Sequence, residues 1–174
     1  MNRWFYTQLW RIAPPLIRHY LKKRAVKSPA YLYHWGERFG EPFDRPVQRP
    51  IWVHAVSVGE TRAAQPLVEA LRRHFPDAPL LMTQMTPTGR AAAKELFPDA
   101  QCRYLPYDKP EWVAQFLKEH RPLFGVLMET EIWPNLMHAC ADAHVPLFLA
   151  NARLSEKSQR GYLKIRNLFE PALQ

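Results

Sequence analysis

From residue 50 onward, short apolar runs alternate with longer amphipathic ones, and this alternation restricts the architecture more than any other feature of the chain. The short runs predict strands at 51–57, 80–84, 102–105, 123–128 and 145–150. The longer ones predict helices at 60–75, 88–97, 110–119, 132–143 and a last one beginning near Ser155. In the clearest helix, Ala64, Leu67, Val68, Leu71 and Phe75 recur at helical spacing while Arg62, Glu69, Arg72 and Arg73 fall on the other side. Strands that alternate with helices are joined by right-handed crossovers, which make the sheet parallel and cover both its faces. The expected fold class is therefore α/β, a Rossmann-like parallel sheet sandwiched by helices.

A chain of 174 residues can bury one core and little more. Its 17 prolines are scattered between apolar segments, which excludes a low-complexity chain. The formal charge of +8 is concentrated at one end. Residues 1–49 hold 10 Lys or Arg against 3 Asp or Glu, whereas residues 50–174 hold 14 against 13. A near-neutral sheet domain behind a cationic, aromatic arm points to an anionic membrane surface and away from nucleic acid. Glu41–Pro50, with three prolines, reads as the linker, dividing the chain into an arm at 1–49 and a domain at 50–174.

Met1–Leu21 mixes Trp4, Phe5, Trp10 and Leu16 with Arg3, Arg11 and Arg18, and these arginines break any run of the about 20 apolar residues that crossing a bilayer requires. An interfacial helix lying in the membrane plane, kinked at Pro14-Pro15, is expected, with Lys22, Lys23, Arg24 and Lys27 held to anionic lipid. The alternative is an amphipathic helix packed on its own domain. Cys102 and Cys140 are too few and too far apart for a disulfide scaffold and read as ordinary buried thiols in a reducing compartment. The seven histidines show no metal-ligand spacing, so no metal is expected, and His54 reads as a satisfied core or rim residue.

Ligands of open parallel sheets gather beyond the carboxyl ends of the strands, and two of the predicted strands end in acids. The first runs into Ser57-Val58-Gly59-Glu60. Gly59 permits a tight strand-to-helix turn, and the free N–H groups behind it favour an ionised Glu60, which can serve as a general base toward a sugar hydroxyl. A helix cap is the competing role for Glu60, and spacing leaves both open. The second acid-bearing end is Glu129-Thr130-Glu131, where Trp133 offers an apolar wall beside a sugar or lipid while the acids bind hydroxyls. Thr86-Pro87-Thr88-Gly89-Arg90 follows another strand and forms either an anion cradle or an ordinary cap. Asn151 and Arg153 add an amide and a guanidinium to the same rim.

Six ordered motifs resemble the N-terminal half of the 3-deoxy-D-manno-octulosonic acid (Kdo) transferases: Trp35–Gly40, His54–Glu60, Met85–Gly89, Tyr104–Asp108, Met128–Asn135 and Asn151–Ser155. The resemblance implies the N-terminal, acceptor-binding domain of a GT-B glycosyltransferase, inverting and metal-independent, moving Kdo from CMP-Kdo to the lipid A precursor lipid IVA. It implies Glu60 as the general base and Glu129 in the active site. Ser57, Gly59, Thr86, Thr88, Gly89, Arg90, Glu131, Trp133, Asn151 and Arg153 would bind substrate. It also implies work at the cytoplasmic face of the inner membrane, no cofactor beyond the donor, and a C-terminal donor-binding domain outside these 174 residues, without which the chain is expected to be inactive. Two readings compete: a noncatalytic module binding anionic lipid through residues 1–49 and the Thr86–Arg90 rim, and a flavodoxin-like domain binding a flavin or nucleotide.

Overall fold

The structure is a computed structural model that describes residues 3–129 and 133–152. Five parallel strands, β1 (Ile51–His54), β2 (Leu80–Gln84), β3 (Gln101–Tyr104), β4 (Phe124–Met128) and β5 (Leu147–Ala150), lie in the order β3-β2-β1-β4-β5. Hence β1 is central, with Val53 paired to Met82 on one side and Val126 on the other. The fold is the expected Rossmann-like α/β sandwich.

Alternation along β1 divides the core. Ile51 and Val53 face helices α3 (Val58–Ala63), α4 (Gln65–His74) and α5 (Pro87–Leu96), in a cluster with Val68, Met82, Ala93 and Phe97. Trp52 faces α6 (Pro110–His120) and α7 (Pro134–Asp142), among Leu81, Val113, Phe116 and Leu136. The indole lies across β4 so closely that a Cβ at Gly125 would sit 2.5 Å from Trp52 Cε3, so β4 carries glycine where its neighbour is widest.

The helix expected at 60–75 is two helices. Pro66 has no N–H to return to Arg62, while the Ala64 N–H bonds back to the carbonyls of Glu60 and Arg62. The first helix therefore closes at Ala63 and α4 restarts at Gln65.

The arm forms α1 (Arg3–Ala25), a continuous helix with Pro14 and Pro15 inside it, followed by a 3-10 turn at Pro29–Leu32 and the short α2 (Trp35–Arg38). One face of α1 is docked. Tyr6 donates to Asp108 at 2.7 Å, Thr7 bonds Asn135, Trp10 stacks on Tyr107, and Leu21 and Ala25 pack with Tyr31 and Phe39. The other face carries Trp4, Phe5, Leu9, Ile12, Leu16 and Tyr20, each between 50% and 67% exposed. Phe5, Leu9, Ile12, Leu16 and Tyr20, spaced by three and four residues, draw one apolar stripe along the helix, with Trp4 beside its start. Packing and exposure are thus opposite faces of one element, where the sequence posed them as alternatives. Among the described residues no helix is long and apolar enough to cross a membrane.

Contacts cross the boundary drawn at residue 49. Phe43 N–H donates to Glu119, Val47 N–H to Gln101 and Arg49 N–H to the His120 carbonyl, so the proline-rich linker is pinned along the sheet domain. Below it, His120 Nδ1–H donates to the Val47 carbonyl and Nε2 accepts from Arg103 at 2.9 Å. That arrangement requires a neutral imidazole, and burial, the largest influence, moves its pKa down to about 4.

Candidate functional site

The rim is built where β1, β2, β4 and β5 end. Ser57 caps α3: its hydroxyl oxygen accepts from the Glu60 N–H, and its O–H donates to Glu60 Oε1 at 2.9 Å. The other carboxylate oxygen, Oε2, accepts from the Val56 N–H at 2.7 Å. This reciprocal bonding is a variant of the capping box, and it leaves Glu60 8% exposed. The cap left open by the sequence is therefore present, and any proton taken by Glu60 has to be taken from within these hydrogen bonds.

The Thr86 motif meets the Glu60 motif through one residue. The Val56 carbonyl accepts from Met85 N–H, Thr86 N–H and the Thr86 hydroxyl, all at 3.2 Å, while its N–H serves Glu60. Thr86 Oγ1 in turn caps α5 by accepting from Gly89 N–H at 3.1 Å. Thr88 is exposed on the first turn of that helix.

Three expectations at these motifs need correction. Gly59 sits inside α3 with no left-handed φ, so the turn does not require it; among the described residues an added Cβ would meet only Ser57 Oγ, at 3.8 Å. Gly89, expected to line the substrate, is buried, and a Cβ there would come within 2.8 Å of Thr86 Oγ1 and 3.1 Å of the Val56 carbonyl oxygen. It lets α5 approach the Val56–Ser57 backbone. Arg90, expected to face an anion, is 7% exposed and paired with Glu37 through two hydrogen bonds of 2.6 and 3.0 Å, with a third to the Cys102 carbonyl. Its charge is balanced from within, because a buried guanidinium needs a partner.

Glu37 also accepts from the Tyr104 N–H at 2.7 Å, and Arg38, fully buried, donates to the Met85 carbonyl with its guanidinium 3.5 Å from the Tyr104 ring centroid. The Trp35–Arg38 segment, assigned from sequence to the arm, thus braces the ends of β2 and β3. Sequence reasoning missed it because the partners lie 47 to 67 positions away.

At the other side of the rim, Glu129 takes φ 57° directly after β4, and Asn151 takes φ 53° directly after β5. A left-handed backbone costs a non-glycine residue roughly 1–2 kcal/mol, which the surrounding structure has to outweigh. Glu129 N–H donates to the Ala150 carbonyl, so the two strained residues stand side by side. Glu129 is half-buried and Asn151 exposed; Glu131 and Arg153 lie outside the described residues.

Between the two acid-bearing ends sits His54. Trp52 Nε1–H donates to Thr83 Oγ1 at 2.7 Å, and that hydroxyl is 2.9 Å from His54 Nδ1. A hydroxyl oxygen that accepts from Trp52 keeps a second lone pair as well as its own proton, so Thr83 can pair with Nδ1 in either tautomer of the neutral imidazole. Burial pushes the His54 pKa down to about 4, and its ring meets Trp133 edge to face at 6.0 Å. Under Trp133, the first turn of α7 is held by Asp108, 2% exposed: Oδ1 accepts from Leu136 N–H, and Oδ2 from Asn135 N–H and the Tyr6 hydroxyl. Burial raises the Asp108 pKa to about 6, outweighing these donors. The sequence carried Asp108 only as the last residue of the Tyr104–Asp108 motif, with no role assigned, because the backbone it caps lies 27 and 28 positions away. Among the described residues no three His, Cys, Asp or Glu side chains are grouped as a metal ligand set.

A family profile described as 3-deoxy-D-manno-octulosonic-acid transferase (kdotransferase) matches residues 33–174. The chain belongs to the Kdo transferase family. Among its relatives, the 3-deoxy-D-manno-octulosonic acid transferase of Haemophilus influenzae is 40% identical over 169 residues, 95% of this chain and 40% of the relative. The transferase of the same name from Bordetella pertussis is 43% identical over 170 residues, 92% of this chain and 39% of the relative. A probable mitochondrial Kdo transferase of Arabidopsis thaliana is 36% identical over 146 residues, 83% of this chain and 33% of the relative. The chain thus spans about two fifths or less of the length of these relatives, and the matched stretch contains every rim residue named above.

Proposed function

We propose that this chain is the acceptor-side wall of a Kdo transferase that moves Kdo from CMP-Kdo to a hydroxyl of the lipid A precursor at the cytoplasmic face of the inner membrane. Family membership carries the reading, and the acids at the ends of two adjacent strands support it. In the proposed step Glu60 accepts the acceptor hydroxyl proton as that oxygen attacks the anomeric carbon of Kdo. The bond to the phosphate oxygen of CMP breaks, and CMP leaves with the electron pair. The Ser57 O–H and Val56 N–H hold the carboxylate in place. Glu129 and Trp133 then shape the opposite side of the acceptor pocket, with Ser57, Thr86, Thr88 and Asn151 offering hydroxyls and an amide. Glu131 and Arg153 belong to the same proposal by motif alone. No cofactor other than the donor is invoked.

The arm is proposed to lie on anionic lipid through its exposed stripe, each basic residue near the surface contributing about 1 kcal/mol. A noncatalytic lipid-binding module is the second reading; it rests on that stripe and leaves the rim unexplained.

Two experiments test these statements. Mixing the chain with a separately made polypeptide carrying the remaining length of the family should restore Kdo transfer from CMP-Kdo to lipid IVA, while the chain alone gives none. Transfer by the chain alone, or none from the mixture when the longer protein is active, would count against one wall of a two-walled cleft. Flotation on anionic liposomes at low and high salt tests the arm: salt-sensitive binding is expected, and absence of binding at low salt removes the membrane reading.

A further inference from the structure

A groove of about 770 Å³ runs along the seam between α6 and α7, from Arg3, Pro110 and Asn135 at the carboxyl end of the sheet to Arg49, Arg121 and His144 at the amino end. At 1.5 Å per residue the 11 residues of α6 make it about 16 Å long. It does not involve the Glu60 rim.

Its charge is one-sided. Arg3, Arg49, Lys118 and Arg121 line it, with His144 as a further nitrogen donor, and Asp142 is the one carboxylate among the described lining residues. The ion pairs formed among the described residues lie elsewhere and use none of the four cations. Three of them converge: Arg49 N–H donates to the His120 carbonyl at 2.8 Å, which sets Arg49 beside Arg121, and Lys118 is one helical turn before Arg121. The carboxyl ends of α6 and α7 account for part of this charge, since each supplies about half a negative charge. They do not balance three full cations even with Asp142 added. Between the charged ends the floor is apolar, formed by Leu117, Ala139 and Val145.

We infer that this groove seats an anionic phospholipid, its phosphate among Arg49, Lys118 and Arg121 and its glycerol and first methylenes on the apolar floor. Charge complementarity selects a phosphate, and the floor selects one attached to a chain over a free anion. The groove is also continuous with the arm, because Arg3 at its other end immediately precedes Trp4 and Phe5 of the exposed stripe. The site is thus distinct from the stripe, which needs a bilayer, and from the rim, where the acceptor would react.

The test is an amide NMR titration of the 174-residue chain with dihexanoyl phosphatidylglycerol below its micelle concentration, where no membrane surface exists. Failure of the arm to bind membranes therefore cannot imitate failure of the groove. Shifts at Lys118, Arg121, Ala139 and Val145 are expected, and the doubly substituted Lys118→Glu, Arg121→Glu chain should bind at least ~tenfold more weakly. Both positions are exposed, so the variant keeps its fold, which circular dichroism verifies. Equal shifts with glycerol phosphate would overturn the lipid in favour of a plain phosphate site. Equal shifts with dihexanoyl phosphatidylcholine would overturn the role of the net negative charge. No shift in the groove with phosphatidylglycerol would overturn the site itself.

Discussion

Gly59 and Gly89 occupy the first turns of neighbouring helices, and the structure assigns them opposite reasons for lacking a side chain. At Gly59 the nearest atom to an added Cβ is Ser57 Oγ at 3.8 Å, an ordinary contact, and the backbone is helical. Gly59→Ala should therefore stabilise the chain by about 0.5–1 kcal/mol, through helix propensity and a less flexible unfolded state. For a chain of this size that raises Tm by about 1–4 °C. At Gly89 the added Cβ would lie 2.8, 3.1 and 3.2 Å from Thr86 Oγ1, the Val56 carbonyl oxygen and the Ser57 carbonyl carbon. Two of those atoms are backbone and cannot rotate aside. Gly89→Ala gains the same propensity and loses more, a net destabilisation of about 1–3 kcal/mol from overpacking. Urea melts of the 174-residue chain read both values, and transfer by the longer family protein supplies the second half of the test. Because nothing among the described residues needs Gly59 to be bare, Gly59→Ala should keep the fold and slow transfer if substrate approaches that face. A destabilised Gly59→Ala, or a Gly89→Ala as stable as the parent, would refute the steric reasoning. A stable Gly59→Ala with full activity would remove Gly59 from the site.

Lowering pH should expose the two buried histidines. Folded pKa values near 4 for His54 and His120 lie below the ordinary 6.5, so the stability tied to their neutral forms is present above pH 6.5 and is lost as pH falls toward 4. Asp108 works the other way, since its folded pKa near 6 makes its contribution greatest below about 4 and lost as pH rises through 6. Urea midpoints across pH 4–7 should therefore fall toward acid, and more steeply in Asp108→Asn; a flat profile in both proteins contradicts these burial effects. Glu37→Ala removes the partner of a buried guanidinium and should cost about 3–5 kcal/mol, read by the same melts, whereas a loss under 1 kcal/mol would mean that Arg90 finds water.

How much of this was legible in sequence follows from the range of the interactions. The five strands and the parallel topology came from period and run length, which are local, and each predicted strand lies within three residues of the observed one. The Ser57–Glu60 cap was legible too, since donor and acceptor are three residues apart. The break at Pro66 was visible as a residue type and was overridden by the apolar period around it. What could not be read was long-range pairing: Glu37 with Arg90, Asp108 with Tyr6 and with the first turn of α7. In each case a buried charge selects its partner in three dimensions, and the sequence shows only two exposed-looking polar residues. For the same reason Arg90 looked free for an anion, and the arm looked separate from the domain on which one of its faces is packed.

Glu60 is proposed to be a base as well as a cap, and Glu60→Gln in the longer family protein separates the two roles. The amide oxygen can still accept from the Val56 N–H and the amide N–H₂ can donate to Ser57 Oγ, so the cap survives with a loss of about 1 kcal/mol or less in the melting curve. General-base catalysis does not survive, because a carboxamide cannot take the hydroxyl proton. A fall in kcat for transfer from CMP-Kdo of roughly 10²–10⁴-fold is expected, with the fold intact. A Glu60→Gln protein that melts like its parent and transfers Kdo at the parental rate would leave Glu60 as a helix cap and nothing more.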